Sequence, residues 1–143
     1  MRVIASGTFD HLHDGHRLFI STAIEKGYAL IGLTVDAMTE DKEYAGLIQP
    51  YEVRKAAIIE WLALEGYEHG THYEILPIST PIGFACDMER CDAILVTEEN
   101  EEMVEGINRC RALRGLAPLR TERCGLLRDR RGKISSTRIR SSI

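Results

Sequence analysis

Residues 28–35, Tyr-Ala-Leu-Ile-Gly-Leu-Thr-Val, form a nearly continuous apolar run. A strand with one wet face alternates apolar and polar residues, so a run without alternation predicts a strand covered on both faces, as in a parallel sheet flanked by helices. The rest of the chain alternates accordingly. A short strand is expected over 2–6, and a helix over 15–26 with Phe19, Ile20, Ala23 and Ile24 on one face. Gly27 is expected to close that helix in the left-handed region. Pro50 suits the first turn of a second helix, whose Val53, Ala57, Trp61 and Leu64 stripe should face the sheet until Gly66. Residues 73–78 read as a strand that Pro77 places at an edge or a strand end. Residues 80–87 read as a turn into a short helix, and 92–96 as a second fully buried strand. A further helix is expected from Thr97 to Gly115, with Glu98, Glu99, Glu101 and Glu102 in its first turn and Met103, Ile107, Cys110 and Leu113 buried. A last strand falls at 118–122. About five strands with intervening helices predict an α/β fold: a single-domain, doubly wound, Rossmann-like parallel sheet with helices on both faces, right-handed crossovers and a central first strand.

The length of 143 residues, 44% of them hydrophobic, suits one core, so residues 1–143 are expected to form a single domain. No apolar run approaches the roughly 20 residues needed to span a bilayer. The chain also enters its first strand without a basic and apolar leader, so a cytoplasmic protein is expected. Cys86, Cys91, Cys110 and Cys124 show no Cys-x-x-Cys spacing and are expected to be free thiols in a reducing compartment. The net charge of −4 hides an asymmetry: residues 109–140 hold eleven Lys and Arg against two acidic residues, a local excess of +9. That segment lacks aromatic residues to stack bases, so polyphosphate binding accounts for it better than nucleic acid does.

The chemistry concentrates between the first strand and the first helix, in Gly7-Thr8-Phe9-Asp10-His11-Leu12-His13-Asp14-Gly15-His16. A turn at the carboxyl end of a parallel strand borders the ligand crevice, and the amides opening the next helix attract an anion. Gly7 allows close approach of the backbone, Thr8 offers a hydroxyl, and Gly15 clears the helix entrance. His13 and His16 lie about one helical turn apart and reach the same volume. A zinc site would need third and fourth ligands that are not apparent; a purely structural pair, capping or packing, is the plainer alternative. No Gly-x-x-x-x-Gly-Lys-Ser/Thr loop, Gly-x-Gly-x-x-Gly fingerprint or recognisable nucleophile–base pair is present.

The Gly-Thr-Phe-Asp stem before His-Asp-Gly-His resembles the His-x-Gly-His motif of the nucleotidyltransferase superfamily. Residues 133–140, Lys-Ile-Ser-Ser-Thr-Arg-Ile-Arg, resemble its second, Ile-Ser-Ser-Thr motif. The order and spacing of the two motifs are similar to those of phosphopantetheine adenylyltransferases of the archaeal and eukaryotic type. The resemblance implies transfer of AMP from ATP to 4′-phosphopantetheine, giving dephospho-coenzyme A and pyrophosphate, with Mg²⁺ accompanying ATP and no covalent enzyme intermediate. It places Gly7, Thr8, Phe9, His13, Gly15, His16, Ser135, Ser136, Thr137 and Arg138 around ATP and its phosphates. His16, His13 and Lys42 become the catalytic set, and Thr8 and Lys42 hold the acceptor's phosphate. The bacterial Gly-Leu-Arg loop is replaced by Thr97-Glu98-Glu99-Asn100, so Asn108 and Arg111 become candidates for its substrate contacts. Tyr51-Glu52-x-Arg54 also resembles the family, with Arg54 open to either a structural ion pair or a ligand contact. A terminal helix capped by Ser135 or Ser136 is expected to converge on the first motif.

A phosphate monoester, with its second pKa near ~6, is already a dianion at neutral pH and needs no general base. Two other functions remain compatible with the residues: a cytidylyltransferase acting on a polyol phosphate such as glycerol 3-phosphate, and a non-catalytic nucleotide- or RNA-binding module using the basic segment.

Overall fold

The computed structural model describes residues 1–36, 48–80, 82–98 and 100–124, and the backbone of 128–129 and 132–133. Its centre is a five-stranded sheet in the order β3-β2-β1-β4-β5, parallel throughout. The strands are β1 (Arg2–Gly7), β2 (Tyr28–Thr34), β3 (Tyr73–Ile78), β4 (Ala93–Val96) and β5 (Arg120–Arg123), and the helices are α1 (Asp14–Lys26), α2 (Tyr51–Leu64) and α3 (Met103–Leu113). A short antiparallel pair, β6 (Arg128–Asp129) with β7 (Gly132–Lys133), lies in the basic segment.

The strand order reverses between β1 and β4, which puts the switch point beside the central strand, as expected. Two apolar layers cover the sheet. Val3, Ala5, Ile31 and Leu33 face Ile20, Ala23 and Ile24 of α1 and Ile58 and Leu62 of α2. On the opposite face Ile4, Leu30, Ile94 and Val96 pack with Ala85, Val104, Ile107 and Leu119. Strands β1, β2 and β4 read as continuous apolar runs because both faces are covered. Pro77 sits in β3, an edge strand, where its missing N–H breaks no ladder.

Five local expectations need correction. Gly27 has φ 164°, which is extended backbone; a Cβ there would collide with the carbonyl oxygen of Met1, so close packing calls for glycine. Residues 82–88 form bends and turns without a helix, and the Thr97 amide donates to Asn100 Oδ1 (2.8 Å) while α3 begins only at Met103. The buried stripes of α2 and α3 are rotated from those expected. They run through Arg54, Ile58 and Leu62, and through Val104, Ile107 and Arg111, leaving Leu64 and Leu113 84% and 90% exposed. Trp61 is only partly buried, against the α1–α2 layer. Each stripe turns because a fully buried arginine, hydrogen-bonded to backbone carbonyls, occupies a position that an apolar pattern assigns to leucine or valine. Finally, Cys86 and Cys110 form a disulfide that ties the 80–91 connection to α3, while Cys91 and Cys124 are free thiols.

Candidate active site

The chain leaves the central strand at Gly7 and turns sharply. A Cβ on Gly7 would meet the Phe9 ring at 3.0–3.3 Å, because that ring folds back over the strand end. Phe9 and His11 both adopt positive φ, 49° and 47°, a left-handed geometry that costs a non-glycine residue of order 1 kcal/mol or more. The surroundings hold it in place. Buried Asp10 accepts the Gln49 amide at 2.8 Å and lies 3.5 Å from His11 Nε2, while the His11 amide donates to Gln49 Oε1 at 3.1 Å. Arg54, wholly buried, donates to the carbonyls of Thr8 (3.0 Å) and Gln49 (2.8 Å), to Thr34 Oγ1 (3.3 Å) and to Asp36 (3.2 Å). Arg54 is thus a structural clamp. Asp36 also accepts the Tyr51 amide at 2.8 Å, standing in for the side-chain cap that Pro50 cannot supply.

His13 is the N-cap of α1. Its Nδ1 accepts from the amides of Gly15 (3.0 Å) and His16 (3.4 Å), and His16 Nδ1 accepts from the His13 amide (3.3 Å), completing a reciprocal capping box built from two histidines. A neutral imidazole whose Nδ1 accepts must carry its proton on Nε2. Both rings therefore present Nε2–H donors. They stack at 3.7 Å between centroids, 18° from parallel, and the Phe9 ring meets His16 edge-on at 5.6 Å. Burial pushes the His13 pKa below its usual value, Arg17 pushes it the same way, and Asp14 opposes them. Its Nε2 is shielded from solvent and has no hydrogen-bond partner among the described residues.

These contacts bear on several expectations. The capping and anion-binding readings of His13 are compatible, because its ring uses Nδ1 for the backbone and leaves Nε2 outside the cap. The amides of Gly15 and His16, expected to point at the anion, are instead satisfied by His13. Phe9 contributes its ring to the core, where it supports His16; any direct contact to nucleotide falls to its backbone. Thr8 stands behind the same turn, its Oγ1 3.1 Å from Thr34 Oγ1. Asn108 and Arg111 are withdrawn from the substrate-binding set. Arg111 is buried and donates to the carbonyls of Ala85, Met88 and Ala117, and the Asn108 amide pairs with both backbone groups of Leu119. Lys42, Ser135, Ser136, Thr137 and Arg138 lie outside the described residues, as does the expected terminal helix. Asp10, Thr34, Asp36 and Gln49 were not singled out from the sequence; Asp10 stood there only as the last residue of the Gly-Thr-Phe-Asp stem.

An open groove of about 640 Å³ runs beside His13, walled by Leu12, Arg17, Gln49, Glu60 and Trp61. Among the described residues no three His, Cys, Asp or Glu side chains gather in a way that would hold a metal ion.

The Cytidylyltransferase-like family model matches residues 4–142. The chain is 42% identical to the phosphopantetheine adenylyltransferase of Thermococcus gammatolerans, over 99% of this chain and 89% of that protein, and 40% identical to that of Thermococcus kodakarensis, over 99% and 86%. Its fold matches the crystal structure of a protein of unknown function from Archaeoglobus fulgidus with a TM-score of 0.74 and 28% identity, covering 94% of this chain and all of that one. With both a near-complete family match and full-length relatives, the chain belongs to the Cytidylyltransferase-like nucleotidyltransferases and, within them, to the phosphopantetheine adenylyltransferase group.

Proposed function

We propose that this chain transfers the adenylyl group of ATP to 4′-phosphopantetheine, forming dephospho-coenzyme A and releasing pyrophosphate. The observation that supports the reading most is the His13–His16 pair. Two neutral rings have their Nδ1 atoms fixed by the backbone, and the Nε2 of His13 is buried without an acceptor among the described residues. A buried donor left unpaired costs about 1–3 kcal/mol, which an anionic phosphate oxygen would recover. Full-length relatives named for this activity supply the substrates.

An oxygen of the acceptor's phosphate dianion attacks the α-phosphorus of ATP. A new P–O bond forms opposite the α–β bridging oxygen, that bridge breaks, and pyrophosphate leaves with the electron pair. Positioning and charge stabilisation suffice, and no enzyme-bound intermediate is needed. His16 is assigned to the charge that develops on the transferred phosphoryl group, His13 and Thr8 to phosphate oxygens, and Gly7 and Gly15 to the backbone shape that admits them. Lys42 is assigned to the acceptor phosphate, and Ser135, Ser136, Thr137 and Arg138 to the triphosphate. Mg²⁺ is assigned to the phosphates of ATP, with which it would arrive, and no step is routed through it.

We further propose a single catalytic domain spanning residues 1–143, working in the cytoplasm without a nucleic-acid partner. No helix among the described residues is long and apolar enough to cross a membrane. The decisive experiment is pyrophosphate release with ATP or CTP crossed with 4′-phosphopantetheine or glycerol 3-phosphate. ATP with phosphopantetheine should give at least tenfold the release of any other pair. CTP with glycerol 3-phosphate as the best pair would replace the reading with cytidylyl transfer, and salt-sensitive RNA binding without release would replace it with a binding module.

A further inference from the structure

Phe9 and His11 hold positive φ, and the residue between them, Asp10, is fully buried. Neither flanking residue is a glycine, and a main chain bent this way persists only when its surroundings hold it. One residue 39 positions along the chain grips the turn by both its main chain and its side chain. The Gln49 amide donates to Asp10 Oδ1 (2.8 Å), and Gln49 Oε1 accepts from the His11 amide (3.1 Å). The Gln49 carbonyl accepts from Arg54 Nε (2.8 Å), while Arg54 Nη1 donates to the Thr8 carbonyl (3.0 Å). A single buried guanidinium therefore fixes the start of the turn and the residue that grips its middle. Asp10 Oδ2 also lies 3.5 Å from His11 Nε2, a contact inside the turn; the Gln49 bonds tie the turn to the chain entering α2.

We propose that Gln49 is a positioning residue for adenylyl transfer: it holds the left-handed turn at Phe9 and His11, and through that turn sets where the His13 and His16 rings stand. The inference rests on the function proposed above and adds a residue to it. Two connections carry the effect. Phe9 is one of the two left-handed residues, and its ring meets His16 edge-on at 5.6 Å. His11 is the other, and it stands two residues before the N-cap His13, whose Nδ1 accepts from the Gly15 and His16 amides while its own amide donates to His16 Nδ1. A turn that relaxes toward ordinary φ drags the cap and the Phe9 ring with it, and a misplacement of about 1 Å costs up to ~10²-fold in rate. His16 is assigned to charge that develops in the transition state. The loss therefore falls on kcat and leaves KM in place.

The experiment measures steady-state pyrophosphate release from ATP and 4′-phosphopantetheine, with thermal melts on the same preparations. The proteins are wild type, Gln49→Met, His11→Gly, the double variant Gln49→Met/His11→Gly, and Asn108→Ala. Methionine keeps the side-chain length and the main-chain bonds but removes the acceptor that Gln49 offers the His11 amide. Gln49→Met should lose at least about tenfold in kcat, with KM for both substrates within about threefold of wild type. Glycine takes positive φ without strain, so in the His11→Gly background the turn needs less holding. There the kcat loss caused by Gln49→Met should shrink at least about threefold, a non-additivity expected of coupled residues. Unchanged kcat in Gln49→Met overturns the proposal, and so do equal losses in the two backgrounds. Asn108→Ala controls for general loosening: Asn108 braces both backbone groups of Leu119, away from the turn, and its loss should lower Tm by about 3 °C with kcat within about twofold of wild type. A fall in its kcat as large as that of Gln49→Met would assign both to loosening and overturn the proposal. If Gln49→Met does not melt cooperatively, Gln49→Asn, which draws the amide back by one methylene, is read with the same expectations. Wild type that releases no pyrophosphate would overturn the proposed function first, a result distinguishable from an active wild type with an unaffected Gln49→Met.

Discussion

His13 carries two separable duties, and substitution can pull them apart. Its Nδ1 caps α1 through the Gly15 and His16 amides, and its Nε2–H is assigned to ATP. Replacing His13 with alanine removes both. Loss of an N-cap costs about 1 kcal/mol. With an unfolding entropy of roughly 2.1 cal/mol/K per residue, a chain of 143 residues has about 300 cal/mol/K, so that loss lowers Tm by about 3 °C. Removing a donor aimed at developing charge costs 10²- to 10³-fold in turnover on top of this. Asparagine caps as well as any residue and has no group at the Nε2 position. His13→Asn should therefore melt within about 1 °C of wild type, since the cap is restored, yet remain at least about 100-fold slower in pyrophosphate release. Thermal denaturation followed by circular dichroism, paired with steady-state kinetics on the same preparations, reads both quantities. If His13→Asn recovers turnover along with stability, the imidazole is only a cap and its assignment to phosphate is wrong.

Reducing the Cys86–Cys110 bond frees a segment with a sequence separation of 24. The chain-entropy relation gives about 3.5 kcal/mol, or roughly 10 °C in Tm for a protein of this size; melts with and without a phosphine reductant check it, and coincident curves would show that the bond contributes nothing. Because folding lowers the His13 pKa, the unfolded chain binds the extra proton more readily, and the stability this histidine contributes is present above its ordinary value near 6.5 and lost as pH falls through it. Tm should therefore drop from pH 7.5 to 5.5 more steeply in wild type than in His13→Asn; equal slopes would contradict the assignment. Tyr73 is fully buried with no partner for its hydroxyl among the described residues, so Tyr73→Phe should be neutral or stabilising by up to about 1 kcal/mol in denaturant titration, and a clear loss would reveal a hidden partner.

The sheet was legible because strands covered on both faces leave an unmistakable apolar run, as at residues 28–34, and because Pro77 restricts its strand to an edge. The helix faces were not. Arg54 and Arg111 occupy core positions through hydrogen bonds to carbonyls distant in sequence, and a stripe assembled from apolar residues alone must then rotate, as those through Val53 and Leu113 did. The first motif was legible as a turn opening a helix with two histidines side by side, but the use of each Nδ1 in a reciprocal cap depends on amide positions that only the folded turn supplies. The braces from Gln49 to Asp10 and His11 span nearly forty residues with no motif to announce them. The disulfide was missed for a related reason: Cys86 and Cys110 show no paired spacing and become neighbours only when the 80–91 connection packs on α3.

His16 is the residue on which the proposed adenylyl transfer depends most directly. Pyrophosphate release from ATP and 4′-phosphopantetheine should be readily measured for wild type and should fall at least about 100-fold in His16→Ala, with the melting curve keeping its single cooperative transition. Equal turnover by the two proteins, or none by wild type with this pair of substrates, would contradict it.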